Sequence, residues 1–106
     1  MPQATLCNAI ATKNIVRIYY TGDEAIGFRT VEPHMVAYNE AGHLSLSAWC
    51  LGGASETPES QGWRDYLLSE ISNATILSQK FSGPRSGYDP TGGEKFHNIQ
   101  CAVCFL

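Results

Sequence analysis

Two arginines stand where they could hold an anion. Arg29 lies in F-R-T-V-E-P-H (28–34), a strand-like run that breaks at Glu32-Pro33-His34, and Arg64 lies in G-W-R (62–64), at the head of a later apolar run. A guanidinium offers a planar fork of N–H donors that matches the oxygens of phosphate or carboxylate. By strand alternation Arg29 shares a face with Val31 and Met35, and Arg64 with Tyr66 and Leu68, which points both inward or to the rim of a core. The plain alternative is local pairing, Arg29 with Glu32 and Arg64 with Asp65 or Glu70, and exposed bridges of that kind contribute only about 0–1 kcal/mol.

Other groups could assist or could simply pack. Tyr19, Tyr20, Trp49, Trp63 and Tyr66 could stack nucleobases, at about 1–3 kcal/mol per base. Aromatics on strands are more often core, so Tyr20 is expected in the core with its hydroxyl at a mouth, and Trp63 as a packing lid. His34 reads either as a hydrogen-bonded structural residue or as an anion contact. In the second case affinity falls as pH rises through the imidazole pKa. His43 and His97 are expected to face solvent. Bond-making chemistry finds no motif: the chain lacks a Ser–His–Asp signature, G-x-S-x-G, a phosphate loop and paired metal-ligand spacings. The reading is a binder, not an enzyme, with no cofactor.

Four cysteines qualify this only slightly. Cys101 and Cys104 form C-A-V-C, half of a zinc-type spacing without a second pair. In a regular strand those two positions point to opposite faces. The cysteines are therefore expected as small buried hydrophobes, with zinc or redox chemistry as the alternative, and in a cytoplasmic chain their even number carries little weight for disulfides.

Composition bounds the class. The chain has 106 residues, 43% hydrophobic and 16% charged, enough for one core and one domain (1–106). No apolar run is long enough to span a membrane, and the N-terminus lacks the basic and apolar regions of a secretory leader, so a cytoplasmic location is expected. Seven Lys and Arg against ten Asp and Glu leave a net charge of −3, which disfavours general duplex binding through bulk charge. An anion site must come from placement.

The elements that would provide the placement follow from periodicity. A short entry helix is predicted over 4–13, with Leu6, Ala9 and Ile10 as its apolar stripe. Strands are predicted over 15–20, 27–38, 44–50, 63–68, 74–81 and 96–106. Turns fall at 21–24 and 39–42, a turn or single helical turn at 69–73, and loops at 52–62 and 82–94. Asp23, Glu24, Glu56 and Glu59 lie in these links and read as solvated. Pro33 cannot donate to a ladder, so the second strand must be bulged, bent or at an edge there. Short strands at this spacing predict a mainly β (α+β) domain: a helix, then a small closed five-stranded barrel over 15–81, then a loop and extra strand over 82–106.

With these residues in view, the chain resembles the WYL-domain family, whose members have an Sm-like small β-barrel. The carriers are L-C-N-A-I, I-V-R-I-Y-Y, F-R-T-V-E-P-H, G-H-L-S-L-S-A-W, G-W-R-D-Y-L-L-S-E-I and F-S-G-P-R-S-G-Y, spanning about Leu6 to Tyr88. The name-giving tripeptide is altered, its place taken by Leu44 to Trp49. Many family members set a winged-helix DNA-binding domain before the barrel, whereas this chain reads as a stand-alone barrel. The resemblance implies ligand sensing and regulation, with nucleic acid or a nucleotide-like ligand bound, in bacterial settings. Tyr20, Arg29, His34 and Arg64 match the family's polar set, and Ser47 and Tyr66 join them by strand neighbourhood. The alternative reading is a protein-interaction or self-assembly module that pairs strand edges with a partner or another copy.

Overall fold

A computed structural model of the protein describes residues 2–22, 26–53 and 61–104. The first element, α1 (Pro2–Thr12), is helical because Leu6, Ala9 and Ile10 recur at helical spacing and bury one stripe. It ends where Lys13 adopts φ 58°, the left-handed conformation that stops a helix.

Six strands follow: β1 (Asn14–Tyr20), β2 (Gly27–Asn39), β3 (Leu44–Gly53), β4 (Gly62–Leu67), β5 (Ile71–Lys80) and β6 (Phe96–Ala102), with a 3-10 turn at Leu68–Glu70 between β4 and β5. The predicted strands are all present, with ends displaced by a few residues. The longest displacement is in β6, which stops at Ala102; residues 105–106 of its expected span lie outside the described residues. So do 23–25 and 54–60, including Asp23, Glu24, Glu56 and Glu59. Gly52 and Gly53, expected in a loop, extend β3. The β2–β3 turn forms as its composition predicts: the Asn39 side chain accepts N–H bonds from Ala41 and His43, and Gly42 takes φ 82°.

The strands run antiparallel in the order β4-β3-β2-β1-β5, with β6 paired to β2. One edge of β2 pairs throughout with β3. The other pairs with β1 over 27–31 and with β6 over 35–39. Pro33 falls in the gap between those partners, where its missing N–H costs no ladder bond, and the β2–β3 register shifts between Pro33 and Met35. The predicted bulge is there, with His34 as the extra residue.

The closed barrel is not. Among the described residues the ladder path ends at β4 and β5, which are joined by the 3-10 turn rather than paired. The gap is tied instead by isolated bonds from the end of β1: the Thr21 N–H and hydroxyl reach the Glu70 carbonyl at 2.9 and 3.0 Å, and the Leu67 N–H donates to the Tyr20 hydroxyl at 3.1 Å. The sheet is open. Its curled inner face packs Val16, Ile18, Val31, Val36 and Leu46 against Leu6 and Ile10 of α1.

A second correction concerns the cysteines. Cys7 of α1 and Cys101 of β6 form a disulfide across 94 residues of sequence. Cys50 is buried as expected, and Cys104 is exposed.

Candidate functional site

Residues opposite one another in an antiparallel pair project from the same face. Arg29 lies opposite Ile18, Arg64 opposite Ala48 and Tyr66 opposite Leu46. Those three partners are fully buried, so both arginines and Tyr66 belong to the inner face. Tyr20 shares that face at the end of β1 and is buried too. Arg29 near the start of β2 and Tyr20 at the end of β1 lie at one end of the curled sheet, whereas Arg64 stands level with Ala48 and, through it, with Pro33, four residues further along β2 than Arg29.

Each arginine follows a glycine and an aromatic residue, G-F-R (27–29) and G-W-R (62–64). Each guanidinium folds back over that glycine: a Cβ on Gly27 would stand 3.8 Å from Arg29 Nη1, and one on Gly62 would stand 3.7 Å from Arg64 Nη1. Both heads thus lean the same way, back along their strands. Arg29 Nη1 donates to the Phe28 carbonyl at 3.3 Å, and Arg64 Nη1 to the Trp63 carbonyl at 2.8 Å. Their settings differ, since Arg29 is only 5% exposed while Arg64 is open to solvent. Tyr20 and Tyr66 meet edge to face with centroids 4.8 Å apart and floor this face. Gly22 fits only without a side chain, because a Cβ would fall 2.6 Å from the Tyr20 ring.

His34 and Ser47 are not brought to this face. His34 is fully buried beneath the segment 82–88, which crosses the outer side of β2, β3 and β4 as a strap. The backbone N–H of Arg85 donates to His34 Nε2 at 3.0 Å, which leaves the proton on Nδ1, donated to the Glu32 carbonyl at 2.8 Å. Burial pushes the His34 pKa down, against smaller raising effects from the Glu32 carbonyl and carboxylate. Phe81 stacks on the ring, and Trp63 and Tyr88 meet it edge-on. Ser47 lies opposite Asp65 and lines a cavity of about 190 Å³ with Met35, Trp63, Tyr88, Lys95 and Phe96. Lys95 pairs with the Asp65 carboxylate.

The strap itself was read only as a loop. Arg85 binds the buried Glu32 carboxylate with Nε at 2.7 Å and Nη2 at 2.9 Å, and lies 4.9 Å over the Trp49 ring. Trp63 Nε1 donates to the Ser86 carbonyl at 2.8 Å, and the Tyr88 hydroxyl to the Val103 carbonyl at 2.8 Å. The available signal was the last of the four arginines, in S-G-P-R-S-G-Y, together with a glutamate on an apolar strand that needed a partner.

Against this geometry, the WYL domain family model matches residues 3–76, more than half of the chain. The chain belongs to the WYL domain family. The matched span carries α1, β1 to β4 and part of β5, hence all six residues singled out from the sequence; the strap and β6 of this WYL domain lie beyond it. Among solved structures, the domain is similar to Proteasome accessory factor B/C (PafBC) of Arthrobacter aurescens, with a TM-score of 0.66 and 18% identity. That match covers 82% of this chain and 13% of the PafBC chain, so the WYL domain described here spans a small part of PafBC's length, and the likeness is one of fold. No curated protein matches the sequence. Among the described residues no helix is long and apolar enough to cross a membrane.

Proposed function

We propose that this WYL domain is a non-enzymatic sensing module of a regulatory system, and that it binds a phosphate-bearing ligand, single-stranded nucleic acid or a nucleotide, at the inner face that carries Arg29 and Arg64. The observation that carries the reading is the register that sets both arginines on the inner face, each folded over its own glycine. Exposed Arg64 would meet the phosphate first. Arg29, withdrawn from water, would add a charge-assisted bond strengthened by its surroundings. The Tyr20–Tyr66 pair beneath would give a base or sugar an aromatic floor. With a net charge of −3, such a site acts by local placement.

Titration of fluorescent DNA and RNA oligomers, with cyclic and linear nucleotides as competitors, tests this. Arg29→Ala and Arg64→Ala should each weaken binding by about 1.5–3 kcal/mol, roughly 10- to 150-fold. Parent-like titrations by both variants would remove the reading.

A second reading, self-association or docking of a partner protein, is favoured by the outer edges of β4 and β5, which pair with no strand among the described residues, and by Ile76 of β5, 40% exposed. Light scattering across a dilution series separates the two, because only this reading requires a mass that falls on dilution.

A further inference from the structure

Cys101 is bonded to Cys7, while Cys104, in the same C-A-V-C run, is an exposed thiol. Between them, Val103 is held at both ends of its peptide unit: its N–H donates to the His34 carbonyl at 2.8 Å, and its carbonyl accepts the Tyr88 hydroxyl at 2.8 Å. We propose that residues 101–104 form an intramolecular thiol–disulfide exchange site, in which Cys104 displaces Cys7 from Cys101 and unlatches α1 from β6.

The step balances within the chain. The Cys104 thiolate attacks Cys101 Sγ; the Cys101–Cys104 bond forms as the Cys7–Cys101 bond breaks. Cys7 departs as a thiolate and takes up the proton that Cys104 gave to solvent. One disulfide replaces another, so neither oxidant nor reductant is consumed. Cys7 and Cys101 are both only half-buried, so their sulfurs lie within reach of the surface. Cys50, fully buried in the core, takes no part.

Val103 sets the rate. β6 ends at Ala102, and in strand conformation positions 101 and 104 would project to opposite sides. A disulfide requires the two Cα atoms to come within about 4.4–6.8 Å, so the segment must turn, and turning it withdraws Val103 from His34 and Tyr88. Exchange is thereby geared to the strap: loosening Tyr88 frees Cys104 to act, and forming the Cys101–Cys104 ring keeps Val103 away from its two partners. The helix at the other end of the latch is released in the same event.

Trypsin makes the test direct, because cleavage after Lys13 and Lys95 leaves Cys7 in peptide 1–13 and both Cys101 and Cys104 in peptide 96–106. The full chain, purified without reductant, is incubated at mildly alkaline pH, quenched with N-ethylmaleimide at intervals and digested. Mass spectrometry should find peptides 1–13 and 96–106 cross-linked at first, then a growing share of 96–106 with an internal disulfide beside alkylated 1–13. Tyr88→Phe should speed that conversion about 2- to 12-fold, the equivalent of one lost hydrogen bond. Cys104→Ser should abolish it. Absence of the starting cross-link, absence of the internal disulfide in both parent and Tyr88→Phe, or equal rates in the two would each overturn the proposal.

Discussion

Arg85 and Glu32 form a two-point ion pair, with both carboxylate oxygens engaged and Arg85 spread over the Trp49 ring. It fastens the strap to the middle of β2, one residue before the strand changes neighbours at Pro33. The glutamate side chain is 5% exposed and the arginine 41%, so the acid is the member that suffers when the pair is broken. Arg85→Ala should lower the unfolding free energy in urea by about 2–3 kcal/mol, while the double variant Arg85→Met with Glu32→Gln should recover part of it. Equal losses in the single and double variants would contradict the coupling.

His34 makes stability depend on pH. Its imidazole is held neutral when folded, with a pKa below the value of about 6.5 that it has unfolded. Above about 6.5 this stability is fully present; below it the unfolded chain binds the extra proton more readily, so stability falls as pH drops from about 6.5 toward the depressed folded pKa. Protonation would also cost Nε2 its bond from the Arg85 N–H. Urea unfolding from pH 8 down to 5 should reveal that decline in the parent, and His34→Gln should flatten it.

Tyr88 gives the opposite limb. Burial, with smaller contributions from Cys104 and Asp89, pushes its hydroxyl up to about 12, so it stays protonated well past an ordinary tyrosine. A raised folded pKa means that stability is present up to about pH 10, the unfolded value, and is lost as pH rises toward 12. Thermal unfolding in that interval should fall off more gently in Tyr88→Phe. At neutral pH the same variant should lose about 0.5–1.5 kcal/mol with the bond to Val103.

The Cys7–Cys101 bond closes a loop of nearly the whole chain, for which the chain-entropy model gives about 4–5 kcal/mol. Cys7→Ala with Cys101→Ala should lower the unfolding free energy by an amount of that order, and a phosphine reductant should act on the parent but not on the variant. Unchanged unfolding of the parent under reductant would mean that the helix needs no cross-link.

Much of this fold could be read from residue alternation. Val16, Ile18 and Tyr20 announced β1, Leu44 to Cys50 announced β3, and Pro33 marked the place where β2 could not keep a regular ladder. Closure could not be read, because it depends on whether the corner at Leu68–Glu70 lets β4 and β5 meet, and nothing in either strand reports that. Alternation points Arg29 and Arg64 inward, whereas the grouping of Tyr20, Arg29, His34 and Arg64 comes from the family resemblance and that of Ser47 and Tyr66 from strand neighbourhood. His34 and Ser47 lie on the other face, where alternation along their own strands already sets them, and the extra residue of the bulge instead turns Met35 away from the face of Arg29 and Val31. The disulfide stayed hidden because pairing across so long a separation leaves no local pattern, and the expected compartment argued against it. The strap stayed hidden because Gly- and Pro-rich segments carry no periodicity.

β2 serves three neighbours at once, and that sharing makes it the least editable stretch of the chain. Deleting one residue between Gly27 and Asn39 would slide it against β1, β3 and β6 together and carry Glu32 away from Arg85, whereas a residue added at the tip of the Asn39–His43 turn would disturb none of those alignments. Length variation in this domain should accordingly collect at the turn and spare the strand that leads into it.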